Sequence, residues 1–150
     1  MENNFFIYVN FSEENGTQDY KYWFSFIKYF IKSADSIEFH LWNEEVETIK
    51  ELSLKTDLKK ICLDRLKMVS FVGDINHNLI NYILKDSLNN HGEVKWFSIL
   101  LKFKGNLFFE SSHWGSEINI ENPNENEIKM IKSVLPKNAT FHHFNKNQSE

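Results

Sequence analysis

Short segments in which apolar and polar residues alternate recur along this chain, and a period of two is typical of strands with one buried face. The clearest is 36–42, where Ile37, Phe39 and Leu41 are separated by more polar residues. Stretches rich in aromatic and β-branched residues predict further strands at 5–11, 67–72, 94–103, 107–111, 117–120 and 140–144.

Apolar residues spaced three or four positions apart predict helices between these strands. The first follows Thr17 or Asp19 as its cap, and additional aromatic residues between Tyr20 and Phe30 widen its apolar stripe. Such a stripe is either covered on two sides by the chain itself or partly left for a partner. A second helix is predicted to begin at Asn43. Its inward-facing residues are Val46, Ile49 and Leu52.

Capping signals predict two more helices. The third begins at Asn76 or Asn78, since asparagine is a favourable N-cap residue. The fourth is capped by Asn122, with Pro123 in its first position and Glu125 closing a capping box.

Residues 54–66 have no single clear period. Leu58, Ile61 and Leu66 suit a helix, whereas Ile61 and Leu63 also suit a strand. We favour a short helix that gives way to the strand at 67–72. The apolar neighbours of Cys62 predict that its thiol is buried and unreactive.

The order of these elements predicts an α+β protein, with α/β as the alternative. We expect a mixed sheet that ends in an antiparallel meander and is covered by helices. A turn at Gly105 and Asn106 joins the first two strands of that meander. The chain has 150 residues, of which 41% are hydrophobic, so a single domain over 1–150 with its own core is expected.

The formal net charge of −4 argues against nucleic acid as the partner, because such proteins present a basic surface. It is compatible with a basic protein partner and equally with simple solubility. Cys62 is the only cysteine, which excludes an internal disulfide and fits a cytoplasmic location. No apolar run approaches the ~20 residues that span a membrane, and the first residues lack the features of a secretory signal.

The densest group of polar residues surrounds a His113–Trp114 corner in the meander. Carboxylates around a large aromatic ring are typical of protein-binding surfaces. The alternative is a solvated acidic face beside a packed tryptophan. The predicted partner-binding residues are Glu110, Ser112, His113, Trp114, Glu117, Asn119 and Glu121.

Two other functions stay open. His113 with Glu110 or Glu117 would serve a small hydrolase or transferase if these groups converge in a pocket. The aromatic excess between Tyr20 and Phe30 would instead serve as the self-interface of a homo-oligomeric regulatory module. The sequence contains no phosphate-binding glycine loop, nucleophile elbow or metal-binding histidine spacing. We therefore expect no cofactor, no metal and no enzymatic activity.

Five motifs carry a resemblance to a known class of protein. They are Gly-Asn-Leu-Phe-Phe (105–109), Ser-His-Trp-Gly (112–115), Glu-Ile-Asn-Ile (117–120), Glu-Asn-Pro (121–123) and Leu-Pro-Lys-Asn-Ala (135–139). In these the chain resembles the small immunity proteins of bacterial toxin–immunity systems, such as contact-dependent inhibition and polymorphic toxins. The likeness covers about a third of the chain.

This resemblance implies a cytoplasmic protein that binds a cognate toxin domain and blocks its active site or an exosite. Many such toxins are basic nucleases, so an acidic surface with aromatic anchors would suit them. The resemblance assigns no individual residue a role and leaves the oligomeric state undetermined.

Overall fold

The computed structural model describes residues 3–11 and 19–145, so the cap suggested at Thr17 lies outside it. Within this range the chain forms eight strands, four α-helices and short 3₁₀ turns at Ile31–Ser33 and Asp64–Leu66. The strands are β1 (Asn3–Val9), β2 (Ser36–Trp42), β3 (Lys59–Leu63), β4 (Met68–Asp74), β5 (Ser98–Phe103), β6 (Asn106–Ser112), β7 (Glu117–Glu121) and β8 (Ala139–Asn145). The helices are α1 (Lys21–Phe30), α2 (Val46–Lys55), α3 (His77–Lys85) and α4 (Glu125–Val134).

The strands form one sheet in the order β3-β4-β2-β5-β6-β7-β1-β8. Every neighbouring pair in it is antiparallel. The α+β prediction is therefore confirmed, and so is the meander, since β5, β6 and β7 are consecutive neighbours. The sheet is antiparallel rather than mixed, because no helix connects two parallel neighbours as an α/β fold requires.

All four helices in the described part of the chain pack against one face of this sheet. The contacts that place three of them are Phe30 of α1 on Phe109, Tyr82 of α3 on Trp96, and Lys132 of α4 on Phe141. Ile49 of α2 lines a groove together with Val69 of β4. Trp96 in turn packs on Phe39 of β2. Alternate strand residues such as Ile37, Phe39 and Leu41 are buried beneath them, as a period of two dictates.

The residues between these core positions point to the other side of the sheet, which no helix of the described chain covers. We call this side the open face. Its central members are Glu38, His40, Leu100, Lys102, Glu110, Ser112, Glu117 and Asn119.

The wide aromatic stripe of α1 is covered by the chain itself. Tyr22 and Phe26 are buried together with Trp23, whereas Tyr29 stays partly exposed. This packing removes most of the apolar surface that suggested self-association.

The segment 54–66 differs from the expected short helix. Residues Lys59–Leu63 form β3, which pairs with β4 only and lies at the edge of the sheet. The thiol of Cys62 is exposed, so its predicted burial is wrong. The apolar neighbours of Cys62 indicated a core position, but β3 is an edge strand, and α2 leaves a groove beside it in which Cys62 stays exposed.

Other element boundaries shift by a few residues. Helix α4 is capped by Asn124 with Glu127 completing the capping box, two residues later than predicted from Asn122 and Glu125. Helix α2 begins at Val46 rather than Asn43. The strand predicted at 94–103 begins only at Ser98, and the following turn is centred one residue early, at Lys104 and Gly105.

Candidate functional site

The β6–β7 hairpin brings together most of the predicted partner-binding residues. Glu110 pairs across the strands with Asn119, and Ser112 pairs with Glu117. All four therefore lie on the open face, and Glu121 follows two positions beyond Asn119 with the same orientation along the strand. We call these five residues the acidic hairpin face.

The turn of this hairpin has an unusual backbone. His113, Trp114 and Gly115 have φ angles of 50°, 54° and 87°, and only glycine adopts this left-handed region without strain. The turn is held by the Trp114 amide, which donates to the Phe97 carbonyl at 3.1 Å, and by the Tyr22 hydroxyl, which donates to the Gly115 carbonyl. Strain maintained by several contacts is common at functional sites.

Phe97 is the centre of an aromatic cluster beside the turn. Its ring centroid lies 5.1 Å from that of Trp42, 5.2 Å from that of His113 and 4.8 Å from that of Trp114. The Trp114 indole donates to a carboxylate oxygen of Glu45 at 2.7 Å. Trp114 keeps 39% of its surface exposed, so it is a surface residue rather than part of the core.

His113 Nδ1 lies 2.8 Å from Oε2 of Glu117, within hydrogen-bonding distance. The Ser112 hydroxyl donates to the same carboxylate at 3.4 Å. The His113 side chain is 56% exposed, whereas the side chains of an active site usually converge in a concave pocket. The arrangement is well suited to orienting the imidazole at the surface.

Glu110 is the carboxylate of the acidic hairpin face whose ionisation is disfavoured. Burial raises its pKa, and the negative charges of Glu121 and Glu117 raise it further, while His40 opposes them. A cation placed against this face would offset these effects by attraction, because an opposite charge favours the ionised carboxylate.

A second polar network lies beside the hairpin on the same open face, and sequence reasoning did not assign it to the site. The Glu38 carboxylate accepts hydrogen bonds from Lys102 at 3.0 Å and Ser70 at 3.0 Å and contacts His40 Nε2 at 2.8 Å. Burial would raise the pKa of Glu38, but the hydrogen bonds from these three side chains outweigh burial and lower it to about 2. The signal available was the alternation in 36–42, which puts Glu38 and His40 on one face.

The Glu38 network predicts that the difference in stability between the wild type and Glu38→Gln depends on pH. Because the folded-state pKa lies below the ordinary value of 4.5, Glu38 stabilises the fold above pH 4.5, and this contribution is lost as pH falls toward 2. If the whole pKa shift acted on stability, Glu38 would contribute about 3 kcal/mol to the free energy of unfolding, which is an upper bound. Solvent screening at this partly exposed carboxylate reduces the expected contribution to about 1–2 kcal/mol. Urea unfolding of Glu38→Gln should show this deficit at pH 7 and almost none at pH 2.

The control for this prediction is Glu125→Gln, in an exposed position at the start of α4. Its difference from the wild-type free energy of unfolding should change much less between pH 7 and pH 2. A Glu38→Gln deficit of equal size at both pH values would contradict the assignment, because it would come from packing rather than charge.

Neither a metal site nor a membrane-spanning helix is found in the described ranges 3–11 and 19–145. No group of three or more His, Cys, Asp or Glu side chains there is placed to hold a metal ion. No helix in those ranges has the length and apolar character needed to cross a membrane. His142 and His143 pair with Phe6 and Phe5, so their side chains point to opposite faces of the sheet.

No protein-family model, curated protein or solved structure matches this chain significantly.

Proposed function

We propose that this protein binds a basic protein partner through the acidic hairpin face and the Trp114 turn, as the immunity protein of a toxin–immunity pair does. The proposal rests chiefly on one observation. A sheet face left uncovered by the described helices presents Glu110, Glu117 and Glu121 beside an exposed tryptophan on a strained turn.

The charges of this face favour a cationic partner. Glu110 and Glu117 lie diagonally across the paired strands β6 and β7. Burial and the negative charges of its acidic neighbours raise the pKa of Glu110. Lysine or arginine side chains of a partner would form charge-assisted hydrogen bonds here and would replace the repulsion among carboxylates with attraction. The same charges would accelerate the encounter with a basic surface.

The aromatic cluster supplies the second component of binding. Trp114 is held in place by Glu45 and Phe97, so little side-chain freedom is left to lose when a partner covers it. Partly exposed tryptophans in ordered surroundings are frequent hot spots, and burial of such a ring slows dissociation. Acidic residues would therefore direct the partner to the turn, and Trp114 would retain it there.

The partner implied by the immunity resemblance is a cognate toxin domain, for which a basic nuclease is the best match in charge. Carboxylates of the acidic hairpin face would occupy the lysine and arginine groups with which such an enzyme holds substrate phosphates. Inhibition in this arrangement needs no catalysis by the immunity protein, and it would take place in the cytoplasm.

The direct test is co-expression with the adjacent upstream open reading frame, followed by affinity purification and size-exclusion chromatography with light scattering. A stable 1:1 complex and rescue of growth from the neighbour's toxicity are expected. If the neighbouring product is toxic and neither binds nor is neutralised, the proposal is wrong.

Glu110→Gln should have opposite effects on stability and on binding. It removes a carboxylate whose ionisation burial and like charges disfavour, so the free energy of unfolding at pH 7 should rise by about 0.5–2 kcal/mol, the usual gain from relieving an unfavourable charge. The gain should appear only as pH rises through the ordinary carboxyl range, since the wild-type protein loses stability there. Affinity for the basic partner, measured by calorimetry, should fall.

Glu125→Gln again provides the matched control, with an exposed carboxylate on the helix side of the sheet. It should leave partner affinity unchanged. A Glu110→Gln protein that binds as tightly as the wild type would show that the partner does not use this carboxylate.

A further inference from the structure

Strand β3 is an edge strand with an unusual amount of exposed apolar surface around it. One side pairs with β4, and the other has no neighbour in the described sheet. Helix α2 lies next to this edge, and of its ten residues only Leu52 is buried. Val46 and Leu54 are 61% and 78% exposed, although inward packing had been predicted for Val46.

A groove separates α2 from β3. It has a volume of about 590 Å³ and an apolar lining that includes Val46, Ile49, Leu54, Cys62 and Val69. Helix α2 therefore presents apolar side chains where the sheet has already ended, as a helix does when one more strand would complete the layer beneath it.

Three lysines lie at this edge. Lys50 and Lys60 line the groove, and Lys59 begins the strand. Over the described chain no carboxylate lies within ion-pair distance of these three side chains. Lysines alone protect an edge from pairing, but protection does not account for the exposed aliphatic residues beside them.

We propose that the α2–β3 groove binds an extended acidic segment of a partner protein, which adds to β3 as a ninth, edge strand. Backbone hydrogen bonds would provide affinity, and alternate apolar side chains would enter the groove. Carboxylates on the other side of the added strand would pair with Lys59, and a carboxylate at the rim of the groove would pair with Lys50 or Lys60. A second copy of this chain is disfavoured as occupant, because its β3 strand carries no carboxylate that could pair with these lysines.

This site is opposite in charge to the acidic hairpin face and lies at an edge strand, whereas β6 and β7 are interior strands. The inference is independent of the proposed toxin partner, and its test needs no knowledge of that partner. The two proposals can therefore fail separately.

The experiment is selection of a displayed library of random twelve-residue peptides against the full chain, followed by affinity measurements on synthetic copies of the selected peptides. We expect peptides in which apolar residues alternate with Asp or Glu. Lys59→Glu combined with Lys60→Glu should weaken their binding by roughly tenfold or more, since two attractions become repulsions. Bound peptide should also slow hydrogen exchange of the β3 backbone amides.

Lys28→Glu combined with Lys129→Glu is the matched control, because both lysines are exposed on other helices and the change in net charge is the same. Its peptide affinity should stay within about twofold of the wild type. The inference is overturned if no acidic peptides are selected, if the β3 variant binds them as well as the control does, or if the β3 amides gain no protection. A β3-dependent doubling of mass without peptide would overturn it in favour of self-association.

Discussion

Replacement of Trp23 by alanine is expected to lower the free energy of unfolding by about 3–5 kcal/mol, the usual loss for a fully buried tryptophan. Trp23 has no exposed surface. Its indole packs near Trp96, with ring centroids 6.3 Å apart, and donates to the Ser111 hydroxyl at 2.9 Å. One side chain thus joins α1 to the hairpin that carries the candidate site, and urea denaturation would measure its contribution.

Two milder variants separate packing from hydrogen bonding at this position. Ser111→Ala leaves the buried Trp23 N–H without its acceptor and should lower stability by about 1–3 kcal/mol. Trp23→Phe keeps an aromatic ring in the core but removes the N–H donor. Its loss of stability should lie between those of Ser111→Ala and Trp23→Ala. If Trp23→Ala lowered stability by less than Ser111→Ala, the indole would not be the main link between helix and hairpin.

The Trp23 contact also explains why the site turn contains Gly115. A Cβ atom at that position would lie 3.0 Å from Cδ1 of Trp23 and 3.1 Å from a methyl carbon of Val94. The residue also has a φ of 87°, which other residues rarely adopt. The core therefore fixes the backbone of the turn from below, while the side chains of His113 and Trp114 remain at the surface.

Alternation predicted the part of the fold that forms the site. The strand at 36–42 was predicted with its observed bounds, and 107–111 and 117–120 each fall within one residue of β6 and β7 at both ends. Antiparallel pairing with a period of two then puts Glu110, Ser112, Glu117 and Asn119 on one face. Sequence proximity was a good guide here, because a hairpin keeps neighbours in sequence close in space.

The parts that could not be predicted depend on contacts between distant segments. Glu38 meets Lys102 only because β2 pairs with β5, across 64 positions of sequence, and strand order was not deducible from local pattern. Cys62 lies in an apolar run that looks internal, but the run forms an edge strand that the helices do not cover. The periodicity of apolar residues along the sequence indicates which side chains share a face, whereas the packing of distant segments decides whether that face is covered.

Charge reversal of the acidic hairpin face is expected to abolish most partner binding while leaving the fold intact. Glu110→Lys with Glu117→Lys should weaken affinity for the basic partner by about a hundredfold or more, since disruption of a charge pair buried in an interface costs about 2–5 kcal/mol. Both positions are only partly buried, so the lysine side chains can extend to solvent. The dissociation constant by calorimetry and far-UV circular dichroism would check the two expectations.

A matched variant distinguishes the effect of where the charges lie from the effect of the overall net charge. Glu47→Lys with Glu125→Lys makes the same change in net charge at exposed residues of α2 and α4. It should lower the association rate modestly through the long-range field and leave the dissociation rate unchanged, because only the acidic hairpin face is proposed to contact the partner. Equal loss of affinity in both variants would mean that overall charge alone governs binding. Unchanged affinity in Glu110→Lys with Glu117→Lys would remove the acidic hairpin face from the interface.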